Sequence, residues 1–133
     1  MESTKIRIIV VEDHAPFRRF ILSLLEKRPN FLVMCEVSDG LEAVEKAEEL
    51  QADVILLDIG LSTLNGIEVA RRISKLVPQS KIIFVSQESN AEIVNEAMST
   101  GACGYVVKSQ AARDLLAAIE AVCEGGNFVS DGV

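Results

Sequence analysis

Acidic, basic and hydroxyl side chains stand directly after four separate β-rich runs. Glu12-Asp13 follows Ile8-Ile9-Val10-Val11, Asp58 follows Val54-Ile55-Leu56-Leu57, Ser86 follows Ile82-Ile83-Phe84-Val85, and Lys108 follows Tyr105-Val106-Val107. Buried parallel strands deliver such residues to one edge of a sheet, where α/β proteins place their ligands. Carboxylates gathered at that edge repel one another unless a cation or a phosphate chemistry uses them. A hard divalent cation such as Mg²⁺ would relieve the repulsion. It prefers octahedral oxygen ligands, keeps several waters and binds through one or two carboxylates plus a substrate phosphate.

The elements that must hold these residues follow from periodicity. Each apolar run reads as a strand: Ile6–Val11, Phe31–Val37, Val54–Leu57, Ile82–Val85 and Gly104–Val107. Between them lie helical patterns. Phe17, Phe20, Ile21, Leu24 and Leu25 form one stripe, with Pro16 acceptable in the first turn. Leu41, Val44, Ala47 and Leu50 form a second after the Ser38-Asp39-Gly40 turn, and Ile67, Ala70, Ile73 and Val77 a third, with Asn65 as its cap and Glu68 three residues on. Ser89 and Glu92 read as a capping box for a fourth helix bearing Ile93, Val94, Ala97 and Met98. Ser109 is the candidate cap of a fifth, whose stripe runs Ala112, Leu115, Leu116, Ile119, Val122 and Cys123. Continuous Ile/Val/Leu strands alternating with amphipathic helices imply a parallel sheet covered on both faces. The expected fold is therefore α/β and doubly wound: a flavodoxin-like three-layer sandwich of five parallel strands in the order 2-1-3-4-5, with five helices. In it the loops after the first and third strands meet where the strand order reverses, so Glu12, Asp13 and Asp58 converge.

Composition narrows the function classes. A chain of 133 residues, 49% hydrophobic, is the size of one domain with enough apolar content for its own core. Thirteen basic against 20 acidic residues give a formal charge of −7, which argues against this domain binding a nucleic-acid backbone itself. Cys35, Cys103 and Cys123 are widely spaced with no CxxC pattern, so they read as reduced thiols and not as a zinc site. The Met-Glu-Ser-Thr-Lys start has no apolar leader region, and no window reaches the roughly 18 apolar residues of a membrane span. These features lead us to expect a soluble cytoplasmic protein with no membrane partner.

The run Val-Val-Glu12-Asp13, the stretch Asp58-Ile-Gly-Leu-Ser-Thr-Leu-Asn65-Gly66, Val-Ser86-Gln and Gly-Tyr105-Val-Val-Lys108-Ser together resemble the receiver domain of bacterial response regulators in two-component signalling, over nearly the whole chain. That resemblance implies that Asp58 is the phosphoacceptor, taking a phosphoryl group from the phosphohistidine of a cognate sensor histidine kinase. It implies that Asp13, Asp58 and the backbone carbonyl of Gly60 bind Mg²⁺ or Mn²⁺ directly, and Glu12 through water. It implies that Lys108 pairs with Asp58 before the reaction and with a phosphoryl oxygen after it. Ser86 would donate its hydroxyl to the phosphoryl group, and Tyr105 would rotate into the space opened behind it, making Ser86 and Tyr105 the switch. Such a protein is a phosphorylation-dependent signalling switch and not an enzyme with a turnover substrate.

The chain departs from the receiver pattern in several places. Leu61-Ser62 replaces the usual Met-Pro, which suggests a more flexible loop, and Ser109 replaces the proline that often follows the lysine, so a trans Lys108-Ser109 bond is expected. Gln87 stands where a small alanine is common and would shade the acceptor from water. His14 reads as a loop residue. Two other readings use the same residues: a non-phosphorylated pseudo-receiver that only binds partners, and a Mg²⁺-dependent aspartyl-phosphate hydrolase, which would want a second acid where Gly60 stands. A flavin carrier would need a phosphate cradle where the chain has Glu12-Asp13-His14-Ala15-Pro16. The receiver is expected to span residues 1–126, with 127–133 starting a linker or tail. Gly125-Gly126-Asn127-Phe128-Val129-Ser130 resembles the point where LuxR-type transcriptional regulators pass into a helix-turn-helix domain. DNA would then be reached only through that further domain, and a homodimer is an expected partner state.

Overall fold

The computed structural model describes residues 5–133; Met1–Thr4, the start of the segment read as lacking a leader, lies outside the described residues. Strands β1 (Ile6–Val11), β2 (Phe31–Val37), β3 (Val54–Leu57), β4 (Lys81–Ser86), β5 (Gly104–Val107) and β6 (Phe128–Val129) alternate with helices α1 (Ala15–Leu25), α2 (Gly40–Leu50), α3 (Gly66–Leu76), α4 (Ala91–Met98) and α5 (Ala111–Cys123). All neighbouring strands are parallel, in the order β2-β1-β3-β4-β5-β6. The expected 2-1-3-4-5 order is present, and the expected count of five strands is corrected to six.

The sixth strand comes from the segment expected to begin a linker. Phe128 N–H donates to the Cys103 carbonyl at 3.0 Å and Ser130 N–H to the Tyr105 carbonyl at 2.9 Å, so the chain beyond residue 126 extends the sheet. A two-residue strand has no periodicity of its own; its partner β5 makes it one.

The sheet separates two apolar compartments. Ile9, Val11, Ile55, Leu57, Phe84, Tyr105 and Val107 face α2, α3 and α4. Ile8, Val10, Val54, Leu56, Ile83, Val85 and Val106 face α1 and α5. Strands covered on both sides cannot alternate polar and apolar residues, which is why their sequences read as unbroken apolar runs. On the helices, Phe20 and Leu41 were assigned to inner faces, yet they are 40% and 47% exposed. Ala112 and Cys123 are exposed as well. The buried stripe of α2 is instead Gly40, Ala43 and Ala47, small residues that let the helix approach the sheet.

Helix starts agree with the sequence in part. Asn65 Oδ1 accepts from Glu68 N at 3.1 Å, as its spacing predicts. At α4 the cap is Asn90 and not Ser89, because Asn90 Oδ1 accepts from both Glu92 N (2.8 Å) and Ile93 N (3.3 Å). Ser109 is no cap either: Lys108–Gln110 form a 3₁₀ turn, and α5 begins at Ala111 without a side-chain cap. Among the described residues every peptide bond is trans, Lys108-Ser109 included. No helix among them is long and apolar enough to cross a membrane.

Candidate functional site

Register does most of the assembly. Val11 of β1 lies opposite Leu57 of β3, and Asp58 N–H donates to the Val11 carbonyl at 3.1 Å, so the residues leaving these strands emerge side by side. Carboxylate oxygens of Glu12, Asp13 and Asp58 lie within 4.8 Å of one another. Ser86 pairs with Val107 across β4 and β5, which brings Lys108 to the same rim. The four strand ends enclose a cleft of about 520 Å³, with Gly60, Phe17 and Gln87 on its walls.

Within the cleft the groups differ in exposure. Glu12 is 1%, Asp58 7% and Ser86 2% exposed, whereas Asp13 is exposed to solvent. Lys108 Nζ sits 2.9 Å from Glu12 Oε1 and 3.6 Å from Asp58 Oδ2, so the expected Lys108–Asp58 pair is present and Glu12 is a second, nearer partner. Glu12 is also the more buried of the two carboxylates. Nζ lies off the hydrogen-bond direction of Oε1, so the contact is an ion pair. Glu12 Oε2 accepts from the backbone N–H of His14 at 3.0 Å. Burial nonetheless pushes the Glu12 carboxyl above its ordinary value; Lys108 and the His14 amide oppose this shift, and the Asp58 charge reinforces it. Phe17, a core residue by its spacing, also serves the site, since its ring centroid lies 4.7 Å from Lys108 Nζ.

Ser86 and Tyr105 lie one behind the other. Ser86 Oγ accepts from Glu88 N–H at 3.2 Å. Tyr105 is fully buried, packed 6.0 Å from the Phe84 ring centroid, and its hydroxyl donates to the Glu88 carbonyl at 2.9 Å. Burial raises the phenol above its ordinary value. The Tyr105 ring lies in the interior, and both residues grip the same turn after β4.

The loop after Asp58 is tied to the start of α2. Ser62 forms a parallel bridge with Asp39, and Thr63 Oγ1 donates to Asp39 Oδ1 while Asp39 Oδ2 accepts from Glu42 N–H at the start of α2. Thr63 stands at φ +64°, a region that a β-branched residue seldom adopts, and Asp39 holds it there. Two glycines permit the packing. A Cβ at Gly66 would lie 2.1 Å from the Asp58 carbonyl oxygen, and one at Gly40 2.2 Å from that of Leu64. The sequence marks Ser38-Asp39-Gly40 only as a turn, because the contact to Thr63 spans 24 residues. His14 is exposed, and Gln87 is exposed on the cleft wall.

Three carboxylates thus face one ammonium. Two of the acids are buried, and the one cation paired with them among the described residues leaves their charge unbalanced, which suits a hard divalent cation with oxygen ligands. Glu12, Asp13 and Asp58 each offer an oxygen for such an ion; Glu12 is also held by Lys108 and the His14 amide, and Asp58 Oδ2 lies 3.6 Å from Lys108 Nζ.

Residues 8–120 match the family model of the response regulator receiver domain. The chain is 33% identical over 129 residues, 97% of its length, to the transcriptional regulatory protein DegU of Brevibacillus brevis, of which it covers 55%. It is 41% identical over 110 residues, 81% of its length, to a protein-glutamate methylesterase/protein-glutamine glutaminase of Thermotoga maritima, but covers only 32% of that protein. A crystal structure of a LuxR-family two-component response regulator from Aurantimonas sp. superposes with a TM-score of 0.91 at 31% identity, covering 96% of this chain and 91% of that one. The chain spans about half the length of the curated transcriptional regulators it matches.

Proposed function

The chain belongs to the response regulator receiver family, and on that premise we propose that it is a phosphorylation-controlled switch whose acceptor is Asp58. The observation that carries this reading is the unbalanced cluster at the strand ends, three carboxylates against Lys108. A carboxylate oxygen of Asp58 attacks the phosphorus of a phosphohistidine on a sensor kinase. The new O–P bond forms as the P–N bond breaks, and the imidazole leaves with the electron pair. Bound Mg²⁺ or Mn²⁺, held by Asp13, Asp58 and the Gly60 carbonyl with Glu12 acting through water, would neutralise charge on the transferring group.

Lys108 balances the incoming charge from the other side. Its ammonium, 3.6 Å from Asp58 Oδ2, needs only a small shift to reach a phosphoryl oxygen. Ser86 donates its hydroxyl to another. When it does, its bond from Glu88 N–H changes, and the turn that Ser86 shares with Tyr105 and α4 is biased toward a second packing. That bistable turn is the route from chemistry to output. By likeness to the relatives, the output is transcription regulation through a DNA-binding domain beyond this segment, with a sensor histidine kinase and a second copy as partners in the bacterial cytoplasm. Phosphotransfer and dephosphorylation are self-catalysed. The hydrolase reading is disfavoured by Gly60, which offers no second acid.

Incubation with Mg²⁺ and acetyl phosphate should add one phosphoryl group to the wild-type chain by mass spectrometry and none to Asp58→Asn. An unmodified wild type, or an equal adduct on Asp58→Asn, would overturn this assignment.

A further inference from the structure

The residue that completes the lysine side of the site sits 22 positions beyond Lys108, in the strap that adds β6 to the sheet. Ser130 is 3% exposed and makes two side-chain bonds at once: its Oγ accepts from the backbone N–H of Val107 at 3.1 Å and donates to Asp114 Oδ2 at 2.8 Å. Asp114 is itself only 6% exposed, and Arg113 donates to its two oxygens at 2.8 and 3.1 Å. The main-chain ladder between β5 and β6 ends with Ser130 N–H on the Tyr105 carbonyl. The Ser130 hydroxyl extends it by one further rung, taking the N–H of Val107, where a longer strand would supply a carbonyl.

Lys108 is the next residue and opens the 3₁₀ turn that ends at Gln110. The far end of that turn is tied to the same strap, since Gln110 Nε2 donates to the Asp131 carbonyl at 3.2 Å. The turn that carries the cleft's single ammonium is therefore fastened at both ends, by Ser130 before it and Asp131 after it.

We propose that Ser130, oriented by Asp114, is a positioning residue for Lys108: it fixes the start of the turn so that the ammonium lies where the phosphoryl oxygens arrive. This rests on the receiver reading above and adds a second element to it, a strap outside the strand ends that sets the geometry of phosphoryl recognition. A buried hydroxyl that both accepts from a main-chain amide and donates to a carboxylate has one orientation, so it transmits the position of α5 to the backbone of residue 107.

The test uses beryllofluoride as the phosphoryl probe, titrated in saturating Mg²⁺ and followed by NMR, with Mg²⁺ affinity alone and the unfolding midpoint measured in parallel. Ser130→Ala should weaken beryllofluoride binding about fivefold, the effect of losing one buried hydrogen bond. Its Mg²⁺ affinity should be unchanged, because Asp13 and Asp58 follow β1 and β3 and do not touch the strap, and Ser130→Thr, which keeps the hydroxyl, should restore the probe affinity. Equal probe affinity in wild type and Ser130→Ala overturns the inference, as does a loss that Thr does not rescue or that Mg²⁺ binding shares. Should Ser130→Ala not fold, Gln110→Ala decides at the other end of the turn: about twofold weaker probe binding supports the proposal, within the scale of an exposed hydrogen bond, and none refutes it. If the wild type itself takes no beryllofluoride, the receiver reading falls and this inference falls with it. If it takes the probe equally well in every variant, the inference falls alone.

Discussion

At the rim where the strands begin, polar groups are paired off. The Arg7 guanidinium donates to the carbonyls of Gln51 at 3.0 Å and Leu50 at 2.5 Å, its backbone N–H donates to Asp53 Oδ2 at 2.8 Å, and Ser80 Oγ donates to the Ala52 carbonyl at 2.5 Å. At the rim where the strands end, Glu12, Asp13 and Asp58 crowd within 4.8 Å, and among the described residues Lys108 is the one cation paired with their carboxylates. One sheet thus carries a satisfied rim and an unsatisfied one. Groups whose demands are met inside the chain hold the fold together, whereas groups left in excess wait for something from outside. Unbalanced burial, more than the presence of acids, marks the working end.

That contrast can be broken in several ways. The largest effect should come from the metal: Mg²⁺ at about 100 times its Kd should raise the unfolding free energy by about 2.7 kcal/mol, and EDTA should remove the gain. Equal denaturation curves with and without the ion would mean that the exit rim is not short of positive charge. Asp13→Asn should lower Mg²⁺ affinity about tenfold or more, about 1.4 kcal/mol, in a calorimetric titration. At the entry rim, Arg7→Ala should cost about 1 kcal/mol of stability in urea unfolding while leaving Mg²⁺ affinity unchanged.

Acidity should separate two buried acids on the exit side by sign, Glu12 in the cleft and Asp114 behind the Lys108 turn. Glu12, held above its ordinary 4.5 first by burial, destabilises the metal-free fold when ionised. Its penalty is absent below 4.5 and grows as pH rises through its folded value, so Glu12→Gln should flatten the melting temperature across that window. Asp114 is held below its ordinary 3.8, first by the hydrogen bonds from Arg113. Its stabilising contribution is present above 3.8 and is lost as pH falls below that value, so Asp114→Asn should alter only the more acidic limb. The smallest effect is expected at Gln87. Gln87→Ala should speed autodephosphorylation about twofold, under about 0.5 kcal/mol of barrier, and an unchanged rate in a phosphate-release assay would remove its shading role.

What could be read before the structure depended on how local the cause was. Val54–Leu57 and Asp58 are adjacent in the chain, so both the strand and the acid at its end are written in one stretch of sequence. The Asn65 cap is equally local. Phe128–Val129 is a strand only because Cys103 and Tyr105 offer it carbonyl partners, and nothing in Gly125–Ser130 announces those partners. Lys108 was legible as the cation of the site and as a partner of Asp58, but its closer contact with Glu12 depends on how the packed molecule places the two acids. Asp39 with Thr63, and Ser130 with Asp114, are pairs of ordinary polar residues far apart in the chain, and only the fold makes them partners.

Tyr105 and Val106 are consecutive, yet one faces the compartment of α2, α3 and α4 and the other that of α1 and α5. The sheet between them acts as insulation. A substitution that reshapes the α1 and α5 surface meets Val106 first, and the Tyr105 hydroxyl on Glu88 lies on the far side of the sheet. What passes it is polar: Asp114 of α5 is linked through Ser130 to the backbone of Val107, a residue of the α2, α3 and α4 compartment.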